Sequence, residues 1–364
     1  VALAIYKVYA SNDSFSTLGK YINTEKASEI VYSILLSVAL SFALGSLVQY
    51  VSRLIFTFHI EKRYKYVAAL FGGVAMTAIT FFILVKGLKS ITFVPSEVKD
   101  FIKESPLTII AYSLILWTIV CQLLISVFKY SVLKFIIIVG TFGLALAFAG
   151  NDLVNFIGVP IAAYQAFEIW AAPGQTVGAT EFMMSGLEKE NLPAPFIFLA
   201  LAGLVMVYTL WTSKKAKSVI ETEQNLSRQG EGNEKYNANT LSRNLVRAMM
   251  YLGNIISFIL PKSLQRKLDA QFVQPEYTGK RDEQPMFDMV RASVNLIVAS
   301  ILISVGTSMK LPLSTTYVTF MVAMGSSFAD RAWDRESAVY RVAGVFNVIG
   351  GWFVTALAAF LSSA

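Results

Sequence analysis

The chain has 364 residues, of which 55% are hydrophobic and only 15% are charged, and its formal net charge is +7. Soluble domains carry roughly 25% charged residues, so this composition excludes an ordinary soluble protein. Several apolar runs reach about 20 residues, the length that an α-helix needs to cross about 30 Å of hydrocarbon. We therefore predict an all-α polytopic membrane protein.

The chain contains one histidine, His59, and one cysteine, Cys121. A single cysteine excludes a disulfide within the chain, and a single histidine leaves no cluster for zinc or Ser-His-Asp chemistry. The basic excess is interpreted by membrane loop rather than as a sign of nucleic-acid binding. We predict that the protein is not an enzyme, has no cofactor and binds no nucleic acid.

Apolar runs predict helices at 30–58, 66–85, 107–128, 132–170, 195–211, 286–309, 317–328 and 339–361. The run at 132–170 is about 40 residues long, which is too long for one simple crossing. It contains Gly150-Asn151-Asp152, and glycine lets the backbone bend. We therefore expect the helix to break there into two pieces.

The chain divides into membrane helices at 1–211, a basic loop at 212–285 and further membrane helices at 286–364. Within the loop, 241–260 has apolar residues at helical spacing, which predicts an interfacial amphipathic helix. A membrane span at 241–260, which would invert the topology that follows, is the alternative. Basic loops fall on one face and the acidic 172–192 loop on the other, so we predict that the long loop is cytoplasmic.

The chain begins at Val1 with a short apolar stretch and has no methionine there. This stretch lacks the positively charged region that opens a signal peptide. We expect it to be the end of a helix, in a protein truncated at its N-terminus.

Asn151, Asp152 and Asn155 lie within one of the most apolar parts of the chain. A carboxylate in a membrane helix costs at least about 2.5 kcal/mol and is by default a functional-site hypothesis. In a helix, Asn155 falls one turn beyond Asn151 and Asp152 on the same face, so three oxygen ligands converge in a way that suits a small cation. The alternative is hydrogen bonding between helices, which is common for membrane asparagines.

A second polar group, Ser314-Thr315-Thr316, follows Pro312 and precedes an apolar run. This order is typical of a helix start, where hydroxyls cap exposed N–H groups. A helix N-terminus at mid-membrane is an anion site that discontinuous-helix transporters use. An ordinary capped helix at the membrane surface is the alternative.

Asp288, Arg291 and Asn295 form a short polar stripe at helical spacing, followed on the same face by Ala299. A stripe this short indicates contact with a neighbouring helix rather than with a substrate. The glycine pairs at 72–73 and 350–351 predict close helix packing. The charged segment 330–336 predicts a hairpin between two helices.

The stretch AGNDLVNFIGVPIAA, residues 149–163, resembles the Asn-Asp signature of the inorganic phosphate transporter (PiT) family. The stretch LPLSTTY, residues 311–317, resembles the Leu-Pro-Val-Ser-Thr-Thr-His motif of the same family. The chain differs from the family motifs at two places. Glycine and alanine are exchanged at Ala149-Gly150, and Tyr317 replaces the histidine. We find one clear copy of each motif in the chain.

The resemblance implies import of inorganic phosphate across the cytoplasmic (inner) membrane, coupled to Na⁺ or H⁺. It also implies two inverted repeats, with broken or re-entrant helices at the motifs and the site between the repeats. Asp152 and Asn155 would bind the coupling cation, Na⁺ in a sodium-coupled protein, and Asn151 would shape the site and contact phosphate. Ser314, Thr315 and Thr316 would bind phosphate oxygens. With one copy of each motif, the chain would hold the second repeat and part of the first.

Three other functions stay open at this stage. A sulfate or other oxyanion permease of the same superfamily would use similar residues. A non-transporting channel or a receptor-like membrane protein would use the motifs structurally. A homodimer embedded in membrane lipid is compatible with each of them.

Overall fold

The structure is a computed structural model, and it describes most of the chain. The described ranges are 2–10, 24–58, 60–85, 104–173, 185–188, 194–214, 237–259, 261–273, 288–309, 313–330 and 335–363, with single positions at 14, 19, 95, 97, 100, 101, 178, 182, 217 and 311. Within these ranges some side chains lie outside the description, including that of Asn155.

Every regular element in these ranges is helical. The α-helices are α1 (Ala2–Ala10), α2 (Thr24–Phe56), α3 (Ile60–Ile79), α4 (Pro106–Ser126), α5 (Val132–Ala171), α6 (Phe196–Thr212), α7 (Thr240–Ile259), α8 (Lys262–Gln271), α9 (Met289–Ser308), α10 (Thr315–Ala329) and α11 (Arg335–Ser363). A π-helical turn, Thr80–Val85, continues α3, and a 3₁₀ turn covers Ser185–Glu188.

Four described helical segments are long and apolar enough to cross a membrane: Ser28–Phe56, Pro106–Ser126, Val132–Val154 and Met289–Ser308. Shorter apolar segments lie in α3, α5, α6 and α11. Large apolar side chains are exposed along α2, α4, α5 and α6. Such surfaces suit lipid rather than water, so the all-α membrane-protein prediction is confirmed at this level.

The predicted break at Gly150 is wrong, because α5 is a single helix of 40 residues that runs through Gly150-Asn151-Asp152. A glycine inside a helix costs only about 1 kcal/mol, too little to end a long apolar helix. No described atom lies within 4 Å of a Cβ placed on Gly150, so close packing against the described residues does not require glycine at this position either. Pro160 also lies inside α5, beyond the Asn-Asp motif.

Helices α9 and α10 form an antiparallel hairpin at the centre of the bundle. Ile303 of α9 and Val318 of α10 share one buried cluster with Leu144 of α5. Helix α10 has 15 residues, fewer than the roughly 20 of a full crossing, and most of its side chains are buried. The hairpin therefore positions residues at both of its ends against neighbouring helices.

Helix α2 crosses α10 at unusually close range. A Cβ on Gly45 would lie 2.6 Å from the backbone oxygen of Val322, and one on Gly325 would meet the backbone of Phe42. The hydroxyl of Ser46 donates to the Gly325 carbonyl at 3.0 Å. The two backbones meet here with little side chain between them, as small residues allow in membrane helices.

The glycine pair in α3 packs as the sequence predicts. A Cβ on Gly72 would lie 2.6 Å from the Cys121 sulfur of α4, and one on Gly73 would overlap Thr118. At Gly350 and Gly351, by contrast, no described atom comes within 4 Å of an added Cβ. Those two glycines therefore serve no close packing among the described residues.

The described part of the long loop contains two helices, α7 and α8. Helix α7 matches the predicted amphipathic segment and packs against α11, and its Ser242 and Val246 are buried. Phe272, which follows α8, is buried and stacks on Tyr50 of α2 with ring centroids 5.5 Å apart. The loop is thereby attached to the bundle near the C-terminal end of α2.

Candidate functional site at the Asn-Asp and Ser-Thr-Thr motifs

Asp152 lies on α5 against the start of α10. The Thr315 hydroxyl donates to its carboxylate, with Oγ1 lying 2.9 Å from Oδ2 and 3.2 Å from Oδ1. Hydrogen bonds to a charged acceptor are roughly twice as strong as neutral ones. The two motifs, 163 residues apart in sequence, thus meet through this contact.

Helix α10 begins inside the second motif, as predicted. Ser314 occupies the N-cap position with an extended backbone, but its side chain forms no capping hydrogen bond. Thr315 is buried, whereas Ser314 is half-buried and Thr316 is exposed. The Asp152 carboxylate therefore lies at the N-terminal end of α10, where the helix dipole favours negative charge.

Asn151 extends the site towards α9. Its Nδ2 donates to Asp152 Oδ1 at 3.0 Å, and its Oδ1 lies 3.5 Å from the hydroxyl of Thr307. The site is consequently built by three helices: α5 supplies the carboxylate and amide, α10 one hydroxyl and α9 another. Thr307 was not predicted from sequence, and its only signal is its place near the end of an apolar helix.

The charge at Asp152 is not balanced by a described basic side chain. The described ion pairs involve Arg53, Arg291, Asp288 and Asp330 instead. Among the described residues no group of three His, Cys, Asp or Glu side chains is placed to hold a metal ion. The ligands at hand are one carboxylate, one amide and hydroxyl oxygens, which suit a small hard cation or a proton.

Two predicted components fall outside the described part of the chain. They are the side chain of Asn155 and the whole of Pro312. The backbone of Asn155 is helical, which keeps it one turn beyond Asn151 and Asp152. The structure therefore brings Asn151, Asp152 and Thr315 together and places Ser314 and Thr316 beside them.

A second polar cluster lies at the opposite end of the α9–α10 hairpin. We define the charge cluster as Arg53, Asp288, Arg291 and Asp330. Arg53 Nε and Nη2 donate to the two oxygens of Asp330 at 2.9 and 2.6 Å. Arg291 Nε donates to Asp330 at 3.0 Å, and Arg53 Nη2 lies 3.0 Å from Asp288.

Asp330 begins the charged segment 330–336, which was predicted as a hairpin and of which residues 331–334 lie outside the described residues, and it is 0% exposed. Its carboxylate turns inward and accepts hydrogen bonds from Arg53 and Arg291. The interpretation of the Asp288, Arg291 and Asn295 stripe as a helix–helix contact is confirmed. Asn295, for example, accepts from Ser326 of α10 at 2.5 Å.

Comparison with protein-family models, with curated proteins and with solved structures found no match.

Proposed function

We propose that the protein is a secondary transporter that imports inorganic phosphate across the cytoplasmic membrane, coupled to Na⁺ or H⁺. The observation that carries this proposal is the hydrogen bond between Thr315 and Asp152, which joins the two motifs into one site. Each motif alone has a structural explanation. A membrane carboxylate held against the N-terminus of a short buried helix is typical of ion-handling sites.

The cation side of the proposed site is formed by Asp152, Asn151 and Thr315, with Asn155 as a further ligand. Their donor atoms are all oxygens, the type that Na⁺ and other hard cations take. Asp152 forms no described ion pair, so a bound cation or proton would neutralise it. Neutralising a membrane carboxylate removes a cost of at least about 2.5 kcal/mol.

The anion side is formed by the first turn of α10. Ser314, which is half-buried and makes no capping hydrogen bond, and Thr316, which is exposed, flank Thr315 beside the N-terminal N–H groups of the helix. The N–H groups at the start of a helix and the positive end of its dipole favour phosphate there. Thr315, the residue between them, is bound to Asp152 and connects the two sides.

In this proposal, charge repulsion between phosphate and Asp152 couples phosphate binding to cation binding. Two unit negative charges about 4 Å apart repel by about 4 kcal/mol at an effective dielectric constant of 20. Phosphate beside an ionised Asp152 is therefore disfavoured until a cation occupies the site. Binding of either ion then raises the affinity for the other by the same factor.

The test is uptake of labelled phosphate by the full-length protein in proteoliposomes, under a Na⁺ gradient and, separately, a pH gradient. Asp152→Asn should abolish gradient-driven uptake while the protein stays folded. Asp269→Asn, at an exposed position on α8, is the matched control and should transport normally. Normal uptake by the Asp152 variant would reject the assignment.

Competition and exchange experiments separate the remaining functions. Arsenate should compete with phosphate and sulfate should not; the reverse result identifies an oxyanion permease of another specificity. Counterflow of phosphate should be accelerated by unlabelled phosphate on the opposite side. A channel or a receptor-like protein would show no such acceleration.

A further inference from the structure

Three of the four residues in the charge cluster are completely buried. Arg53, Arg291 and Asp330 are each 0% exposed, and the two arginines and two aspartates cancel in charge. Asp330 is the centre, because both arginines donate to it and Gln49 Nε2 donates to it at 2.8 Å. The cluster is therefore electrically neutral, and several hydrogen bonds converge on Asp330.

Its members come from three helix ends. Arg53 lies in the last turn of α2, Asp288 caps the start of α9, and Asp330 caps the end of α10. The Asp288 carboxylate accepts from the backbone N–H of Arg291 at 2.9 Å, which fixes it at that cap. The cluster thus ties α10 to α2 and α9 at one end of the bundle.

Buried ion pairs are a poor means of simply holding helices together. Desolvating the charges offsets their attraction, so well-packed apolar residues usually stabilise such a position as well or better. The pairs differ from apolar packing when the interface opens. Separated charges regain their hydration, whereas separated apolar surfaces meet water at full cost.

At its closest point the remaining contact between α2 and α10 is made by backbone rather than by large side chains. Around Gly45 and Gly325 the two backbones touch, and Ser46 supplies a hydrogen bond there. One aromatic pair, Phe42 and Phe328, also joins the two helices with ring centroids 5.8 Å apart, so opening has to separate this pair as well. The charge cluster is the strongest polar connection between these two helices in the described chain.

We propose that the charge cluster is a latch that holds the end of α10 against α2 in the state described here and opens in another state. Helix α10 spans about 22 Å between the latch at Asp330 and the hydrogen bond of Thr315. Release of the latch frees one end of α10 while the other end stays at Asp152. The inference concerns this movement and does not depend on which solute is carried.

The test measures how fast N-ethylmaleimide labels a thiol at the α2–α10 crossing. The reporter protein carries Ser46→Cys and Cys121→Ala. The double variant Arg291→Gln with Asp330→Asn leaves Arg53 and Asp288 paired, so the buried charge stays balanced. Labelling at position 46 should become at least tenfold faster in this variant than with the native cluster.

Native Cys121, which is buried between α3 and α4, provides the control. In a protein with the same double variant but without the reporter substitutions, Cys121 labelling should stay at its native rate. Unchanged labelling at position 46 in a folded variant would overturn the latch. Equal acceleration at both thiols would overturn it too, since that result indicates general loosening.

A milder variant keeps the test decisive if the double variant does not fold. Gln49→Glu retains all four charged residues but places a second carboxylate against Asp330. It should accelerate labelling at position 46, whereas Gln122→Glu, on the exposed face of α4, should not. Equal labelling rates in these two variants would reject the proposal.

Discussion

The hydroxyl of Thr315 lies 2.9 Å from the carboxylate of Asp152, and this hydrogen bond fixes the start of α10 against the middle of α5. The donor is the side-chain hydroxyl of Thr315, the first residue of α10. Thr315 therefore belongs to the surroundings of the Asp152 carboxylate, and its role is not limited to binding an anion.

Thr315→Ala should therefore weaken coupling-ion binding more than phosphate binding. The substitution removes one oxygen ligand from the proposed cation side, so the Na⁺ concentration for half-maximal uptake should rise several-fold. Thr315→Ser retains the hydroxyl and should restore most of the affinity. A Thr315→Ala protein whose cation dependence is unchanged would remove Thr315 from the cation side.

Ser314→Ala and Thr316→Ala should act mainly on phosphate. Each removes a hydroxyl beside the N-terminus of α10, and a hydrogen bond to a charged group such as phosphate is worth about 1.5–3 kcal/mol. The KM for phosphate should rise about 10- to 100-fold while the dependence on cation stays the same. Thr141→Ala is the control, because the Thr141 hydroxyl is exposed on α5 and donates to the backbone of Ile137. If both site variants keep the native KM for phosphate, the anion side lies elsewhere.

Gly45→Ala should destabilise the protein. The added Cβ would lie 2.6 Å from the Val322 oxygen and 2.9 Å from its Cα, and backbone atoms cannot rotate away. Overpacking of this kind costs about 1–3 kcal/mol, which should appear as a lower Tm in detergent. Gly203→Ala on α6, where no described atom lies within 4 Å of the new Cβ, should keep or raise the Tm. Equal Tm values for the two variants would show that α2 and α10 are not packed as described.

Asp288 should make stability depend on pH below neutrality. Burial alone would raise the pKa of Asp288, but the charges of Arg53 and Arg291 outweigh it and hold that pKa below its usual value. A carboxyl whose pKa is lower in the folded state stabilises fully above its unfolded value of about 3.9 and loses that contribution as the pH falls towards the folded value.

The measurement is the Tm difference between the native protein and Asp288→Asn across pH 3–7. The difference should be constant from pH 7 to about pH 5 and shrink below about pH 4, where the native carboxyl takes up a proton. A difference that is as large at pH 3 as at pH 7 would mean that the charge of Asp288 does not stabilise the fold.

Sequence patterns located the helices because each crossing requires a long apolar run, and the structure places helices over all the predicted runs. They also identified both halves of the candidate site, since Asp152 and Ser314-Thr315-Thr316 are conspicuous in apolar surroundings. The continuity of α5 was missed because glycine permits a bend but does not require one.

The charge cluster could not be found from sequence. Arg53 and Asp330 are 277 residues apart, and each lies at a helix end where a charged residue is ordinary. Only tertiary packing turns both side chains inward. Asp330 in addition begins a run of charged residues, and nothing in that run distinguishes its buried carboxylate from its neighbours.

Pro160 gives α5 a built-in weak point. It has no N–H to donate to the Phe156 carbonyl, so the helix can kink there at less cost than elsewhere along its length. Asn151 and Asp152 lie on the N-terminal side of this point, where α5 is bound to α9 and α10. A kink at Pro160 would swing the last turns of α5, from Ile161 to Ala171, while the carboxylate stayed in place.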